Sequence, residues 1–232
     1  MSGTWAKRPS ESTPCKTHVV VTAGPTREFL DPVRFLSNPS TGKMGFAVAA
    51  EAARRGMDVT LVAGPVALKT PKGVRRVDVI SARDMLAAVE EALKASAEKM
   101  VVVATAAVAD WRPATCADRK LKKGQMDGVL RLVRNPDILK TVHARVVRRR
   151  LKNVSLVGFA AETNDVRAEA ARKCREKGLA FIVANDVTQA GCGFGTDTNQ
   201  VAFVFPDGSV RPLPLMTKRR VARRIVDEVA RL

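Results

Sequence analysis

Short β-branched runs alternate along this chain with segments whose apolar residues recur at helical spacing. The runs with the length and composition of buried strands are 18–23, 58–63, 77–80, 100–108, 155–160 and 181–184. Parallel strands need a crossover connection of helix length, and the helices then cover both faces of the sheet. The alternation therefore predicts an α/β fold with a doubly wound, mostly parallel, Rossmann-like sheet.

Helical spacing and helix-end signals place helices between and after these strands. The predicted helices run from about 41 to 55, from Ser81 as N-cap through 93, from Pro136 to 149, from 166 to 177, and from 217 to 231. Residues 200–215 predict a late antiparallel hairpin that turns at Pro206-Asp207-Gly208, and 110–132 predicts a long loop. Ligands of such folds bind at the carboxyl ends of strands, so we expect the site after the first, fourth and fifth strands.

The length of 232 residues fits one large domain, and we expect a disordered leader over 1–17 and a single domain over 18–232. The leader is polar and lacks a secretory apolar segment. No apolar run reaches the roughly 18–20 residues of a membrane helix. The four cysteines form no C-x-x-C pair, which favours a reducing compartment, and two distant histidines give little support for zinc. We therefore expect a cytoplasmic protein that does not contact the membrane.

The formal net charge of +17 favours anionic partners, either nucleic acid or phosphorylated small molecules. Aromatic residues make up only 4% of the chain and tyrosine is absent. Stacking surfaces for single-stranded nucleic acid are therefore scarce. The composition disfavours nucleic acid as a partner and leaves phosphorylated small molecules.

The segment from Gly24 to Gly45 follows the first strand and contains two incomplete phosphate-binding motifs. A dinucleotide site needs G-x-G-x-x-G at this point, but the glycine after Gly24 is Gly42. The second strand ends in Val62-Ala63-Gly64-Pro65, without the acidic residue that binds a ribose hydroxyl. Both halves of the nicotinamide-dinucleotide signature are missing.

A P-loop interpretation of the same segment also fails. Met44 stands where the hydroxyl residue after Gly42-Lys43 should be, and Ser37 replaces the leading glycine. Small polar residues still lead into a helix, whose free N–H groups and dipole favour an anion. The alternative is an ordinary helix start capped by Ser40 or Thr41.

The segment 22–45 (TAGPTREFLDPVRFLSNPSTGKMG) resembles the opening motif of phosphopantothenoylcysteine synthetases. Further motifs similar to those of this family follow in order at 106–113 (AAVADWRP), 120–123 (KLKK, the family's K-x-K-K), 135–138 (NPDI), 157–163 (VGFAAET), 185–187 (NDV), 193–194 and 197–199. The likeness extends from about 18 to 230. Ordered motifs at sensible spacing are far more specific than a single glycine pattern.

The resemblance implies a ligase of coenzyme A biosynthesis that joins 4′-phosphopantothenate to L-cysteine through an acyl-nucleotidyl intermediate. The K-x-K-K and N-P-D-I segments are bacterial features of the family, so CTP is expected as the nucleotide, with Mg²⁺. Many bacterial relatives have a flavin-dependent decarboxylase domain ahead of this one, whereas about 17 residues precede the first strand here. We expect a stand-alone synthetase or an excised domain without FMN, and a homodimer.

For the nucleotide, the resemblance implies phosphate and catalytic roles for Lys120 and a CTP contact for Asp110. The other implied nucleotide residues are Asn135, Pro136, Asp137, Ile138, Phe159, Lys173 and Lys177. Lys173 and Lys177 are spaced i, i+4 and so share one helix face. Plain structural roles stay open for several of these residues: Asn135 as N-cap with Pro136 at N1, Phe159 in the core, and a solvated lysine face.

For the acyl substrate, the resemblance implies Asn38 as the residue that holds the acyl intermediate. A carboxamide suits this role because it donates and accepts hydrogen bonds without titrating. The other implied substrate residues are Gly24, Ser40, Thr41, Gly42 and Lys43. No metal ligands are assigned. The chain departs from the family where Pro39 replaces arginine, Thr41 replaces serine and Trp111 replaces tyrosine or phenylalanine.

Two other hypotheses fit parts of the sequence. An NAD(P)-binding oxidoreductase would use the same fold, but the missing glycine fingerprint argues against it. A basic nucleic-acid-binding module would account for the charge, but the ordered motifs and scarce aromatics argue against it.

Overall fold

The computed structural model describes residues 17–95, 97–122, 124, 128–162, 166–186 and 191–232. The helices within these ranges are α1 (Lys43–Arg54), α2 (Ala82–Ala92), α3 (Ile138–Arg148), α4 (Val166–Glu176) and α5 (Lys218–Arg231). The strands are β1 (Thr17–Ala23), β2 (Arg27–Phe29), β3 (Phe35–Ser37), β4 (Asp58–Ala63), β5 (Arg75–Asp78), β6 (Lys99–Ala104), β7 (Trp111–Pro113), β8 (Leu132–Arg134), β9 (Val154–Glu162), β10 (Phe181–Asp186), β11 (Thr198–Asn199), β12 (Val201–Val204), β13 (Val210–Pro212) and β14 (Met216–Thr217).

The centre of the fold is an eight-stranded sheet in the order β13-β12-β10-β9-β6-β1-β4-β5. The strands from β10 to β5 pair in parallel, and β12 and β13 add an antiparallel hairpin at the β10 edge. This confirms the predicted doubly wound sheet and its late hairpin. The chain leaves β1 towards β4 on one side and later returns to β6 on the other. The strand order therefore reverses between β1 and β6, which is where such folds open a ligand crevice.

Helices cover both faces of this sheet. Alternate residues of β1 point to opposite faces, so Val19 and Val21 pack in the core beneath α1 and α5, whereas Val20 packs in the core beneath α2, α3 and α4. The near-continuous valine run of β1 is thus explained by burial on both sides. Its position at the centre of the sheet fixes the loop after β1 at the middle of the carboxyl edge.

The fourth strand was predicted to extend too far along the chain. β6 ends at Ala104 rather than at Val108, because the next residues turn to follow β1 instead of continuing the sheet. Thr105 N–H donates to the carbonyl of Thr22 at 3.2 Å, and Ala107 N–H donates to that of Gly24 at 2.9 Å. The third strand was predicted two residues too late in the sequence, since β5 covers Arg75–Asp78 rather than 77–80. Because β6 ends at Ala104, the segment after it runs directly against the loop after β1.

The predicted start of the third helix at Pro136 was wrong. α3 begins at Ile138 with Asp137 as N-cap, whose carboxylate accepts the N–H of Lys140 at 3.0 Å. Asn135 does not cap the helix: its amide oxygen accepts from Nη1 of Arg112 at 3.1 Å, and its amide nitrogen donates to the carbonyl of Ala109 at 2.8 Å. The N-P-D-I turn is therefore fixed both to α3 and to the segment after β6.

Two small antiparallel ribbons lie beyond the sheet in segments predicted as loops. β2 and β3 pair within the segment after β1, and β7 pairs with β8 across the segment after β6. Their pairing was missed because each strand is only three residues long, too short to show a period.

Some of the sequence predictions fall outside the described residues. The predicted leader does so except for Thr17, which begins β1, and so do Lys123, Thr163 and Val187 of the family-like motifs. In the described part of the chain, no helix is both long and apolar enough to cross a membrane.

Candidate active site

A cleft of about 740 Å³ opens at the carboxyl edge of the sheet, where β1, β6, β9 and β10 end. Its lining includes most of the residues that the sequence predicted for the site: Asn38, Ser40, Thr41, Gly42, Lys43, Asp110, Asn135, Pro136, Asp137, Ile138, Phe159, Lys173 and Lys177. Gly24 and Lys120, both in the described part of the chain, do not line it. The two predicted halves of the site thus share one cavity.

The N-terminus of α1 forms one wall of this cleft. Gly42 is the N-cap in a left-handed conformation, with φ of 76°, and no described side chain caps the first turn. The ordinary capped start by Ser40 or Thr41 is therefore not found: Thr41 Oγ1 donates to the carbonyl of Phe194 at 2.6 Å instead. The first residues of α1, Lys43 to Gly45, line the cleft, and their N–H groups have no side-chain cap, which is the arrangement that binds anions.

Gly45 lets this helix terminus lie close to the sheet. A Cβ atom on Gly45 would stand 2.4 Å from Oγ1 of Thr105 and 2.5 Å from Cβ of Ala23. Thr105 itself is fixed because its hydroxyl donates to the carbonyl of Thr22 at 2.6 Å. Only glycine fits at position 45, so the close approach of α1 to β1 and β6 depends on it.

Asn38 joins the segment after β1 to the segment after β6. Its amide nitrogen donates to the carbonyls of Ala107 at 3.1 Å and Val108 at 3.2 Å. Both donor hydrogens are thereby used, and the carboxamide oxygen is left as the acceptor of this side chain. Asn38 is thus held in a fixed position in the cleft, and its carboxamide oxygen is the atom left to contact a ligand.

Lys43 is not a free cation at the mouth of the cleft. Its ammonium lies 2.8 Å from the carboxylate of Asp197 and 3.0 Å from the carbonyl of Gly195. The hydrogen bond from Lys43 lowers the pKa of Asp197 below its usual value. This ion pair ties the first residue of α1 to the segment 193–197, which forms the outer wall.

Lys218 holds the same wall from the other side, and the sequence interpretation missed it. Its buried ammonium donates to the carbonyls of Thr196 at 2.7 Å, Gly193 at 2.8 Å and Phe194 at 3.4 Å. Burial lowers the pKa of this lysine. A signal existed in the sequence, because Lys218 precedes Val221, Ala222 and Ile225 at i+3, i+4 and i+7 and so begins the buried stripe of α5.

The opposite end of the cleft is built by the N-P-D-I turn. Asn135 N–H donates to the carbonyl of Asp110 at 2.8 Å, and Nη1 of Arg112 donates to the amide oxygen of Asn135 at 3.1 Å. The side chain of Asn135 is therefore engaged in holding the turn. Contacts from this turn to a ligand are left to its backbone groups and to Ile138.

Asp137 and Lys177 form an ion pair at this end, with 2.8 Å between Oδ2 and Nζ. Burial opposes ionisation of Asp137, but the N–H of Lys140 and the ammonium of Lys177 outweigh it and lower the pKa of the carboxyl. Phe159 lies half-buried on β9 nearby. Lys173 lies in the last turn of α4, and Lys177 directly follows the end of that helix. The predicted lysine face of α4 thus borders the cleft rather than bulk solvent alone.

Lys120 lies on the long connection between β7 and β8, which is anchored one residue further on. Leu121 N–H donates to the carboxylate of Asp31 at 3.2 Å, and Nη2 of Arg34 donates to the carbonyl of Leu121 at 3.0 Å. The paired guanidinium of Arg34 holds the pKa of the fully buried Asp31 well below its usual range. The structure therefore places Lys120 beside the β2–β3 ribbon, outside the cleft lining.

Gly24 has a structural role in the turn after β1. Its φ is 79°, and a Cβ there would stand 3.0 Å from a methyl of Val66 and 3.2 Å from the carbonyl of Gly64. Within the described ranges, no group of three histidine, cysteine or acidic side chains could hold a metal ion. The cleft as a whole offers an uncapped helix terminus, backbone carbonyl and N–H groups, and lysines, which suits anionic ligands with polar edges.

This chain is similar over most of its length to proteins of one family. The model of the family described as DNA/pantothenate metabolism flavoprotein C-terminal domain matches residues 15–232. The coenzyme A biosynthesis bifunctional protein CoaBC of Bacillus subtilis (strain 168) is 49% identical over 216 residues, which are 93% of this chain and 51% of that protein. CoaBC of Escherichia coli (strain K12) is 46% identical over 215 residues, 91% of this chain and 51% of that protein. The chain spans about half the length of these relatives.

Solved structures show the same fold. The crystal structure of the C-terminal domain of CoaBC superposes with a TM-score of 0.76 at 42% identity, covering 93% of this chain and 95% of that one. A Cab2 mutant in complex with phosphopantothenate-cysteine superposes with a TM-score of 0.73 at 18% identity, covering 93% of this chain and 86% of that one.

Proposed function

Because this chain belongs to the DNA/pantothenate metabolism flavoprotein C-terminal domain family, we propose that it is a ligase that joins 4′-phosphopantothenate to L-cysteine and cleaves CTP to CMP and pyrophosphate. Membership of this family confirms the resemblance inferred from the sequence motifs. In the proposed reaction the carboxylate attacks the α-phosphate and pyrophosphate leaves. The amine then displaces CMP from the acyl-cytidylate, which completes one step of coenzyme A biosynthesis.

One observation supports this proposal above the others: a single cleft holds both the uncapped N-terminus of α1 and the N-P-D-I turn. Two anions must meet in such a reaction, so its barrier is mainly one of position and charge. We assign Asn38, Ser40, Thr41, Gly42 and Lys43 to the acyl substrate. Asp110, Phe159, Lys173, Lys177 and the turn from Asn135 to Ile138 are assigned to CTP.

The names of the relatives support the substrate class. CoaBC is a bifunctional protein of coenzyme A biosynthesis, and this chain covers 95% of its crystallised C-terminal domain at 42% identity. The Cab2 structure contains phosphopantothenate-cysteine, the amide that the proposed reaction would form. Lys120 is proposed to reach the triphosphate from the anchored β7–β8 connection.

Magnesium enters the proposal with the nucleotide. Mg²⁺ keeps several waters and binds through substrate phosphates with one or two carboxylates, so it suits a triphosphate more than an all-protein site. Asp110 is an exposed carboxylate in the cleft lining that could complete such a shell. The ion would neutralise charge on the leaving pyrophosphate.

Pyrophosphate release tests the function directly. The protein is mixed with Mg²⁺, 4′-phosphopantothenate, cysteine and CTP, and pyrophosphate is followed as each component is omitted in turn. We expect release that depends on both phosphopantothenate and nucleotide. Release that is indifferent to phosphopantothenate would overturn the ligase proposal, and the same assay with ATP decides between the nucleotides.

We further propose a cytoplasmic homodimer with a single synthetase domain over 18–232, preceded by a leader over 1–17. The β7–β8 ribbon supports self-association, since Trp111 and Leu132 share one face of it and are 44% and 42% exposed. Apolar side chains that cluster on a surface often mark an interface. Light scattering of the protein in solution would show twice the 25.1 kDa chain mass if this is correct.

A further inference from the structure

Two asparagines on the wall of the cleft have side-chain oxygens without a hydrogen-bond donor. The amide oxygens of Asn185 and Asn199 are buried, and neither accepts a hydrogen bond within the part of the chain that the structure describes. Asn199 is only 3% exposed, and both residues line the cleft. A buried polar atom without a partner costs free energy, so a ligand donor is the expected partner.

The strand pairings place both asparagines on one side of the fold. Asn185 pairs with Val201 across β10 and β12, and Asn199 pairs with Met216 across β11 and β14. Directly paired residues point to the same side, and Val201 and Met216 belong to the same core cluster. Val183, Val201 and Phe203 on that face pack in the core beneath α1 and α5. The asparagine pair is therefore on the α1 side of the cleft, whereas Ile138 belongs to the core on the other face.

The cations nearby are already engaged. Lys218 donates its hydrogens to backbone carbonyls of Gly193, Phe194 and Thr196, and Lys43 is paired with Asp197. Neither ammonium is bonded to the asparagine oxygens. The free capacity of this corner is therefore for accepting hydrogen bonds, and a ligand that fits here must donate.

We propose that Asn185 and Asn199 form the subsite for the α-amino group of the incoming amino acid. This inference rests on the proposed ligase function, in which no residue has yet been assigned to the amine. Amide bond formation takes place at the acyl carbon, so the amine must be delivered on the acyl side of the cleft, beside α1. Neutral carboxamide oxygens accept from both –NH₃⁺ and –NH₂, so they hold the amine before and after it loses a proton.

The competing occupant is a ribose hydroxyl of the nucleotide, and kinetics separate the two. Asn199→Leu keeps much of the side-chain shape but removes the acceptor. We expect the KM for cysteine to rise about 10- to 100-fold, the range for a lost hydrogen bond to a charged group. The KM values for CTP and phosphopantothenate should stay within about twofold of the parent, well below the effect of a lost hydrogen bond. Asn199→Asp retains an acceptor oxygen and should restore cysteine binding.

A trapping reaction isolates the amine step. Hydroxylamine at high concentration captures an activated acyl group as a hydroxamate and does not need the amino-acid subsite. Hydroxamate formation should be unchanged in Asn199→Leu and in the second variant, Asn185→Leu, while the amide with cysteine is lost. A raised KM for CTP, a lost hydroxamate, or an unchanged KM for cysteine would each overturn the inference.

A test on the parent protein needs no substitution. Cysteamine has the amine without the carboxylate and should compete with cysteine, whereas 3-mercaptopropionate has the carboxylate without the amine and should not. Competition by 3-mercaptopropionate alone would contradict the amine subsite. If the parent releases no pyrophosphate with phosphopantothenate and CTP, both the ligase proposal and this inference fail. If the parent is active and the variants keep the parent KM for cysteine, only this inference fails.

Discussion

The carboxylate of Asp31 accepts a hydrogen bond from the backbone N–H of Leu121 at 3.2 Å, across 90 residues of the chain. Arg34, which is paired with Asp31, donates to the carbonyl of the same leucine at 3.0 Å. The turn between β2 and β3 thus binds both polar groups of one peptide residue in the β7–β8 connection. The position of Lys120 depends on this contact, although no part of the contact is in the cleft.

Removing the negative charge at position 31 should therefore reduce activity without altering the cleft itself. Asp31→Asn cannot form the ion pair with Arg34, so the connection around Leu121 should be released. We expect kcat/KM for CTP to fall about 10- to 100-fold, since small misplacements of a positioned group have effects of this size. Amide hydrogen exchange at 117–122 should quicken in the same variant.

Asp118→Asn is the matched control, because Asp118 lies exposed in the same connection. It should leave both kcat/KM and hydrogen exchange at the parent values. Equal loss of activity in both variants would show that any substitution near this connection impairs activity, and would contradict a specific role for the contact between Asp31 and Leu121.

Asn38→Asp should stall amide formation after the nucleotide has been cleaved. An aspartate there cannot donate to the carbonyls of Ala107 and Val108, which lie 3.1 and 3.2 Å from the present amide nitrogen. Like partial charges would push the side chain away and move the acyl group. We expect pyrophosphate release in a burst of about one equivalent, with kcat for the amide down about 100-fold.

Asn153→Asp serves as the comparison for this effect. Asn153 also donates to a backbone carbonyl, that of Ala97 at 2.9 Å, but it does not line the cleft. Its replacement should cost stability without changing the ratio of pyrophosphate to amide. Unchanged amide formation in Asn38→Asp would remove Asn38 from the mechanism.

Gly45→Ala should lower both stability and substrate affinity. Its Cβ would meet Thr105 Oγ1 at 2.4 Å, so α1 must move away from β1 and β6. Overpacking of this kind costs about 1–3 kcal/mol, which thermal denaturation resolves easily. Gly195→Ala has open space around the added methyl and should keep the parent melting temperature.

The stability of α1 should depend on pH in acid. Hydrogen bonds from Arg54, and then from Arg55, lower the pKa of Glu51 from 4.5 to about 2. The folded pKa lies below the unfolded one, so the contribution is complete above pH 4.5 and is lost as pH falls towards 2. Glu51→Gln should lose about 1 kcal/mol at neutral pH, because Arg54 is largely exposed and its charge is screened.

Denaturant unfolding at pH 7, 5 and 3 would measure this. The difference between the parent and Glu51→Gln should shrink as the pH falls. Glu91→Gln is the control, since the Lys94–Glu91 pair is 61% and 72% exposed. A difference that stays constant with pH would exclude ionisation of Glu51 as its cause.

The parallel sheet could be predicted from sequence because its strands are buried on both faces. Val19, Val20 and Val21 are all fully buried, so burial and β-branched content coincide along β1. The end of β6 could not be predicted in the same way. The residues from Ala104 to Val108 are apolar except for Thr105, yet the segment leaves the sheet to bond with Thr22 and Gly24, a tertiary contact without a local signal.

In the site, too, some features could be predicted from the sequence and others depend on tertiary contacts. The family resemblance predicted that Asn38 and the N-P-D-I turn would belong to the two halves of one site, and both line the same cleft. The caps were harder to predict, because Asn135 and Asp137 are equally good N-cap residues in isolation. In the structure the amide oxygen of Asn135 accepts from Arg112, and the carboxylate of Asp137 accepts the N–H of Lys140. Asn199 was noted only as part of a motif, since its unpaired oxygen is visible only in three dimensions.

The hydrogen bonds from Lys218 to the outer wall also determine when a newly synthesised chain can complete its cleft. Lys218 is the first residue of α5, and every other lining residue of the cleft precedes it in the sequence. During synthesis the sheet, α1 and the N-P-D-I turn emerge first, while the carbonyls of Gly193, Phe194 and Thr196 still lack their common donor. The α1 side of the cleft is therefore completed last, when α5 leaves the ribosome and packs against α1.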